Sequence, residues 1–251
     1  MIDLAGKRAL VTGGSRGIGA AAARLLARAG ADVMIGYRSR TADADGVVAT
    51  LRASGVRAGS HAADISTRAG ADALVAATMH ALGGVDIFVA NAGVWPVQET
   101  AVAEMDDDRW ATTMRENVDS IFFTTRAVAR VMGSGGRIVL VSSTAGQRGE
   151  AFHADYGASK GAVISFAKSL AVELGARDVT VNAVAPGWVD TEMVAGAMAP
   201  DARDRINATI PLGRIASVDD IAGPILFLCS PLARHVTGEI LNVNGGSVLC
   251  G

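Results

Sequence analysis

At 251 residues, half of them hydrophobic and 4% aromatic, the chain can bury the core of one large α/β domain made mainly of Ala, Val, Leu and Ile. A net charge of -2, with Lys and Arg scattered, leaves no basic stripe for nucleic acid, and no uncharged run reaches the roughly 18 residues of a membrane span. The 30 glycines follow no period, and Cys229 and Cys250 have no metal-ligand spacing, which excludes a collagen-like chain and a zinc module. Reduced thiols and the lack of a basic, apolar leader read as a cytoplasmic protein.

Strand-like and helix-like runs alternate along the sequence. Arg8 to Val11 is a short buried strand, and a Gly-rich turn leads into a helix carrying Ile18, Ala22, Leu25 and Leu26 that stops at Gly30. A strand over Asp32 to Tyr37 precedes a helix around Asp43 to Ala53. A third strand, near Val56 to Ala62, precedes a helix around Ala69 to Leu82. Val85 to Ala90 and Arg137 to Val141 follow as strands, with one long helical stretch, Asp106 to Met132, between them. The helix bearing Tyr156 comes next, then a strand over Thr180 to Val184, a helix around Val218 to Leu228 and a last strand, Ile240 to Val243. Such alternation predicts parallel strands with helices on both faces, in a single domain spanning residues 1–251. The least regular segment, 187–213, follows a strand's carboxyl end and is expected to be a lid on the substrate side.

Thr12-Gly13-Gly14-Ser15-Arg16-Gly17-Ile18-Gly19 joins the first strand to the first helix. Glycines there let the backbone turn sharply and approach a pyrophosphate, which the free N–H groups and positive dipole end of the helix attract. The spacing is G-x-x-x-G-x-G rather than G-x-G-x-x-G. Enzymes that use NAD place an acidic residue at the end of the second strand for the ribose hydroxyls. Here that end reads Gly36-Tyr37-Arg38-Ser39-Arg40. With no carboxylate present, Arg38 and Arg16 offer a charge-assisted fork to a 2′-phosphate, and the expected cofactor is NADP(H). Asp64, just after the third strand, is placed to accept from an adenine amino group.

Tyr156-Gly157-Ala158-Ser159-Lys160 sets a phenol and an ammonium one helical turn apart, on one face. Asp155 is the expected N-cap, and Ala162, Val163, Phe166, Leu170 and Leu174 continue the helical period. Burying a core requires no such pairing. A cation near a phenol favours the phenolate, so Lys160 is expected to lower the Tyr156 pKa and let it exchange a proton near neutral pH.

Taken together, the sequence resembles the short-chain dehydrogenase/reductase family over essentially its whole length. The motifs that carry the resemblance occur in the family's order: the Thr12–Gly19 loop, Asn91-Ala92-Gly93, Ser143, Tyr156 with Lys160, and Pro186-Gly187 followed by Thr191. Asn117, in Glu116-Asn117-Val118, matches the family's fourth catalytic position. The resemblance implies a single Rossmann-like, doubly wound domain with a mostly parallel sheet of seven strands, and a homotetramer packed through the Tyr156 helix and the 106–132 stretch. It selects Ser143 over its neighbour Ser142, and it implies that Asn117, Ser143, Tyr156 and Lys160 reduce a carbonyl. Tyr156 would donate the proton, Ser143 would orient the carbonyl, and Asn117 would hold a water linked to Lys160. The implied cofactor contacts are Thr12, Gly13, Ser15, Arg16, Gly17, Ile18, Gly19, Tyr37, Arg38, Ser39, Asp64, Ile65, Asn91, Ala92, Gly93, Tyr156, Lys160, Pro186, Gly187, Val189 and Thr191.

The substrate wall is expected from Trp95, Gln147, Phe152 and Trp188, with Val94, His153 and Met193 nearby. This is a mainly apolar surface without a carboxylate or phosphate clamp, and His153 reads as a solvent-facing loop residue. Within the family, the endings Asn182 to Gly187 and Thr237 to Gly246 look most like the 3-oxoacyl-acyl-carrier-protein reductases. Arg177 matches a basic position with which those enzymes dock the acidic carrier. The segment Val131 to Gly135 lacks the Lys or Arg they often have, which leaves room for a small ketone, sugar or alcohol as substrate. A catalytically idle NADP sensor is the reading from another class.

Overall fold

The computed structural model describes residues 2–197 and 200–249. Its frame is one sheet of seven strands, β1 (Arg8–Thr12), β2 (Asp32–Tyr37), β3 (Ala58–Ala62), β4 (Ile87–Ala90), β5 (Arg137–Val141), β6 (Thr180–Pro186) and β7 (Ile240–Val243). They lie in the order β3-β2-β1-β4-β5-β6-β7, and every pairing is parallel. Because side chains alternate across a pleat, one strand feeds both faces of the sheet. Ala9 and Val11 enter one core and Leu10 the other, and Ile87 and Val89 are separated from Phe88 and Ala90 in the same way.

On the first face pack α1 (Gly17–Arg28), α2 (Thr41–Ala53) and α9 (Val218–Leu228), through Leu26, Leu51, Ile221 and Ile225. The other face is covered by α3 (Arg68–Leu82), α5 (Ser120–Val131) and α7 (Ala154–Leu174), through Leu74, Ile121, Val128, Val163 and Leu170. The order of strands reverses between β1 and β4, and a parallel sheet opens a crevice at such a point, outside its carboxyl ends.

The expected 106–132 helix is interrupted. Asp106 caps α4 (Asp107–Met114), accepting from the Arg109 N–H at 2.7 Å, and a π-helical turn, Arg115–Asp119, separates α4 from α5. Such a turn carries one residue more per hydrogen-bonded ring and rotates the chain around it. Here it turns Asn117 fully into the interior. A short helix, α6 (Ala145–Arg148), precedes α7, and α8 (Pro200–Thr209) lies within the segment expected as a lid, whose residues 198 and 199 fall outside the described ones. Cys229 is buried at the end of α9, where burial pushes its thiol up to about 12; Cys250 is outside the described residues.

Asp155 does not cap α7; His153 occupies that position, and Asp155 sits in the first turn. Its carboxylate, with no exposed side-chain surface, pairs with Arg109 Nε at 3.1 Å and accepts from Thr113 Oγ1 at 2.8 Å. Those bonds, chiefly the one from Arg109, hold the carboxyl below the usual carboxylate range against the burial that raises it. α4 therefore anchors the start of the helix that carries Tyr156. Arg109→Leu leaves this carboxylate buried without its cation, and urea denaturation is expected to show a loss of about 3–5 kcal/mol.

Candidate active site

The crevice is a cleft of about 370 Å³ that runs from the glycine loop past the ends of β2, β4, β5 and β6. Of the residues expected to touch a cofactor, all but Thr12 and Gly19 line it. Those two sit just behind. Thr12 Oγ1 accepts from the N–H groups of Asn91 and Ala92, both at 3.1 Å, which ties the end of β1 to the end of β4. A Cβ on Gly19 would lie 2.3 Å from the Gly13 carbonyl oxygen, so only glycine lets α1 begin so close under the loop. α1 has no acidic residue in its first turn and no side chain capping its N-terminus. Its first N–H groups are thus left for an anion, and the loop fits the pyrophosphate of a dinucleotide.

At the end of β2, Arg38 Nη1 donates to both carboxylate oxygens of Glu116 at 2.7 Å. Arg16 and Arg40 converge on Glu192, at 2.5 and 3.2 Å. Three guanidinium groups thus stand around the mouth of the adenosine end. Asp64 accepts from Ser66 N and Oγ at 3.1 and 2.7 Å through one carboxylate oxygen, and the Ser66 hydroxyl keeps its pKa low.

At the other end, Ser143, Tyr156 and Lys160 meet. The Ser143 hydroxyl lies beside the Tyr156 phenol, near enough to lower its pKa, and accepts from the Ala145 N–H at 3.1 Å. Ser142 faces the interior, where its hydroxyl donates to the Lys160 carbonyl at 2.8 Å, so its packing separates it from its neighbour. Lys160 Nζ donates to the Val141 carbonyl at 3.0 Å and lies 5.8 Å from the centre of the Tyr156 ring.

Asn117 is behind them: its Oδ1 accepts from the Val94 N–H at 2.7 Å, and its Nδ2 donates to the Val94 carbonyl and to Ser159 Oγ, both at 3.0 Å. Its side chain stitches the loop after β4 to α7, and both its N–H groups are taken by protein rather than by a water.

The expected phenol chemistry is reversed in direction. Burial pushes Tyr156 up to about 12, opposed by the Ser143 hydroxyl and reinforced by the charge of Glu150. Burial alone lowers Lys160 to about 8. The phenol is therefore held protonated, which suits a proton donor, while the ammonium is held close to its titration point.

Trp95 and Trp188 line the substrate end, their indoles edge to face at 5.8 Å, with Val94 and Met193 beside them. Gln147 and Phe152 do not. Gln147 Nε2 donates to Asn242 at 2.6 Å, and Phe152, in a left-handed conformation at φ 63, is 54% exposed. His153 is buried rather than solvent-facing, stacked on Trp95 at 4.9 Å.

The same end carries a carboxylate, Glu150, that the apolar reading of the wall missed. Its loop position, six residues before Tyr156, was its only signal in the sequence. Arg177 is exposed, and its guanidinium donates to the carbonyls of Ala129, at 3.0 Å, and Met132 at the end of α5.

The chain belongs to the short-chain dehydrogenase/reductase family, oxidoreductases acting on CH–OH and C=O groups: a family model described as enoyl-(acyl carrier protein) reductase matches residues 13–247. It is 40% identical to the 3-oxoacyl-[acyl-carrier-protein] reductase FabG of Vibrio cholerae over 247 residues, 98% of each chain. It is 38% identical to the L-rhamnose 1-dehydrogenase (NAD(P)(+)) of Azotobacter vinelandii over 250 residues, 96% of each chain. A crystal structure of a short-chain dehydrogenase from Burkholderia cenocepacia in complex with NADP superposes with a TM-score of 0.91 at 39% identity, covering 97% of this chain and 98% of the other.

Since Lys160 titrates near 8, its charge is present below that pH and lost above it. For carbonyl reduction, kcat/KM is expected to be level below about pH 8 and to fall above it, while Tyr156 stays protonated throughout. A pH profile on free enzyme measures this limb.

Proposed function

We propose that the protein reduces a ketone to a secondary alcohol with NADPH. The observation that carries this reading is the convergence of Ser143, Tyr156 and buried Lys160 in the cleft that begins at the glycine loop. When bound, the nicotinamide supplies the hydride. Tyr156 Oη donates its proton to the substrate oxygen as negative charge develops there, and the Ser143 hydroxyl donates a second hydrogen bond to the same oxygen. Lys160, buried beside the phenol, would stabilise the phenolate that remains and would help hold the nicotinamide ribose. Asn117 keeps Val94 and α7 in register around them.

Preference for the phosphorylated cofactor rests on Arg16, Arg38 and Arg40 and on the lack of a carboxylate at the end of β2 itself. A relative solved with NADP supports it. Arg38→Ala is expected to raise the Kd for NADPH about tenfold or more and to leave NADH binding much less changed, as read by quenching of tryptophan fluorescence.

For the substrate, the names of similar proteins support a 3-oxoacyl thioester, with fatty acid synthesis in the cytoplasm as its setting. A second reading, a small ketone, sugar or alcohol, is favoured by the 38% identity to an L-rhamnose 1-dehydrogenase and by the lack of Lys or Arg in Val131 to Gly135. Exposed Trp110, Phe122, Val131 and Val172 on α4, α5 and α7 support the homotetramer. The 187–213 segment is read as the lid, since Thr191, Glu192 and Met193 line the cleft.

Tyr156→Phe is expected to fold and bind NADPH while losing turnover by about three orders of magnitude, measured against acetoacetyl thioesters, simple ketones and sugars. Tight NADPH binding without turnover of any of them by the unmodified protein would instead make it a sensor.

A further inference from the structure

Glu150 lines the cleft beside Tyr156, Trp95 and Trp188, and nothing in the reduction itself calls for a carboxylate there. Its side chain is 22% exposed and is fixed from one side. Trp95 Nε1 donates to Oε1 at 3.2 Å, and His153 Nδ1 lies 3.7 Å from that oxygen. The ring of His153 is stacked on Trp95, so carboxylate, indole and imidazole form one block. The loop that carries it is stiff. Gly149 at φ 75 and Phe152 at φ 63 flank it in left-handed conformations, and the Phe152 carbonyl accepts from the Thr100 N–H at 2.9 Å. A bulky residue such as Phe costs energy in that conformation and persists only where its surroundings hold it.

Oε1 is thus engaged, while Oε2 has no hydrogen-bond donor among the described residues. His153 is the one ion-pair partner of Glu150 among them; Arg148 lines the same cleft but makes no such pair. Burial raises the Glu150 pKa, as expected of a carboxylate drawn partly out of water. A methylene chain laid over this group would remove its remaining water and leave an acceptor unsatisfied, which costs more than the apolar contact returns. A hydroxyl laid there would donate to Oε2, and the faces of Trp95 and Trp188 would cover the carbon skeleton behind it.

We propose that Glu150 is the specificity-determining acceptor for a substrate hydroxyl next to the reacting carbonyl. The substrate is then a hydroxylated ketone of the sugar or polyol class rather than a 3-oxoacyl thioester. This rests on the reductase reading above and chooses between its two substrate classes. A site that hydrogen-bonds a substrate hydroxyl discriminates strongly against the analogue lacking it, because its own buried group is then left unpaired.

The test uses the full chain with NADPH. Hydroxyacetone and dihydroxyacetone are compared with butanone and with the N-acetylcysteamine thioester of acetoacetate, for the unmodified protein, Glu150→Leu and Glu150→Gln. In the unmodified protein, kcat/KM for the hydroxyketones is expected to exceed that for butanone by about 100-fold or more. Glu150→Leu lowers that ratio at least about tenfold. Glu150→Gln, which keeps an oxygen for Trp95 but loses the charge, lowers it several-fold. NADPH binding by fluorescence checks that the variants fold, and if the Leu variant does not, the Gln variant decides. A ratio that neither folded variant changes overturns the inference, as does a thioester that outperforms both hydroxyketones in the unmodified protein. Absence of turnover on every carbonyl, with NADPH still bound, overturns the reductase reading and this inference with it.

Discussion

The arrangement turns on a buried cation. Lys160 is 4% exposed, and its ammonium is held by the Val141 carbonyl at the last residue of β5. Its own backbone carbonyl accepts from Ser142 Oγ, and Gly146 packs against that carbonyl so closely that a Cβ would stand 2.6 Å from the oxygen. One residue thereby joins the end of a central strand, the turn of α6 and the middle of α7. Taking an ammonium out of water is costly unless it is well hydrogen-bonded, and here the cost appears as a pKa lowered to about 8. The same dry surroundings raise the phenol to about 12. Both groups are pushed toward their neutral forms, so the site rests with its proton on Tyr156. Charge that develops nearby during reduction then meets dipoles and a cation already in place, without reorganisation of solvent.

What could be read from the sequence depended on local pattern. The central strands were legible because they are apolar on both faces, and the glycine loop because its residues adjoin along the chain. The four residues expected to act together do meet around the end of β5, three of them in the cleft and Asn117 behind it. What could not be read depended on partners far along the chain. Asp155 looked like a cap because its neighbours suit one, but its carboxylate answers to Arg109, 46 positions away. His153 looked like a loop residue in solvent until Trp95 came over it, and Glu150, 55 positions from Trp95, was not read at all. The π-helical turn was not legible, since the sequence from Asp106 to Met132 reads as one helical run. The phenol's pKa was misjudged for a related reason: a sequence shows a cation one turn away but not how dry the space between will be.

The contacts at the adenosine end look at first like an argument against a phosphate, since Arg38 and Arg16 are already paired with Glu116 and Glu192. Exposure decides the point. The Arg38 side chain is 55% exposed against 17% for Glu116, and the Arg16–Glu192 pair is open on both sides, at 44% and 59%. Ion pairs so open to water contribute roughly 0–1 kcal/mol and are screened by salt. A 2′-phosphate carries about two charges and presents several acceptor oxygens, so its charge-assisted bonds to the same guanidinium groups exceed what the carboxylates lose. The pairs keep the arginines extended at the mouth of the cleft without committing them. At the substrate end Glu150 is drawn partly out of water, and one of its carboxylate oxygens has no protein donor among the described residues. The arginines therefore suit a phosphate-bearing molecule on the side of β2, while the indoles and Glu150 suit a hydroxylated substrate beside Tyr156.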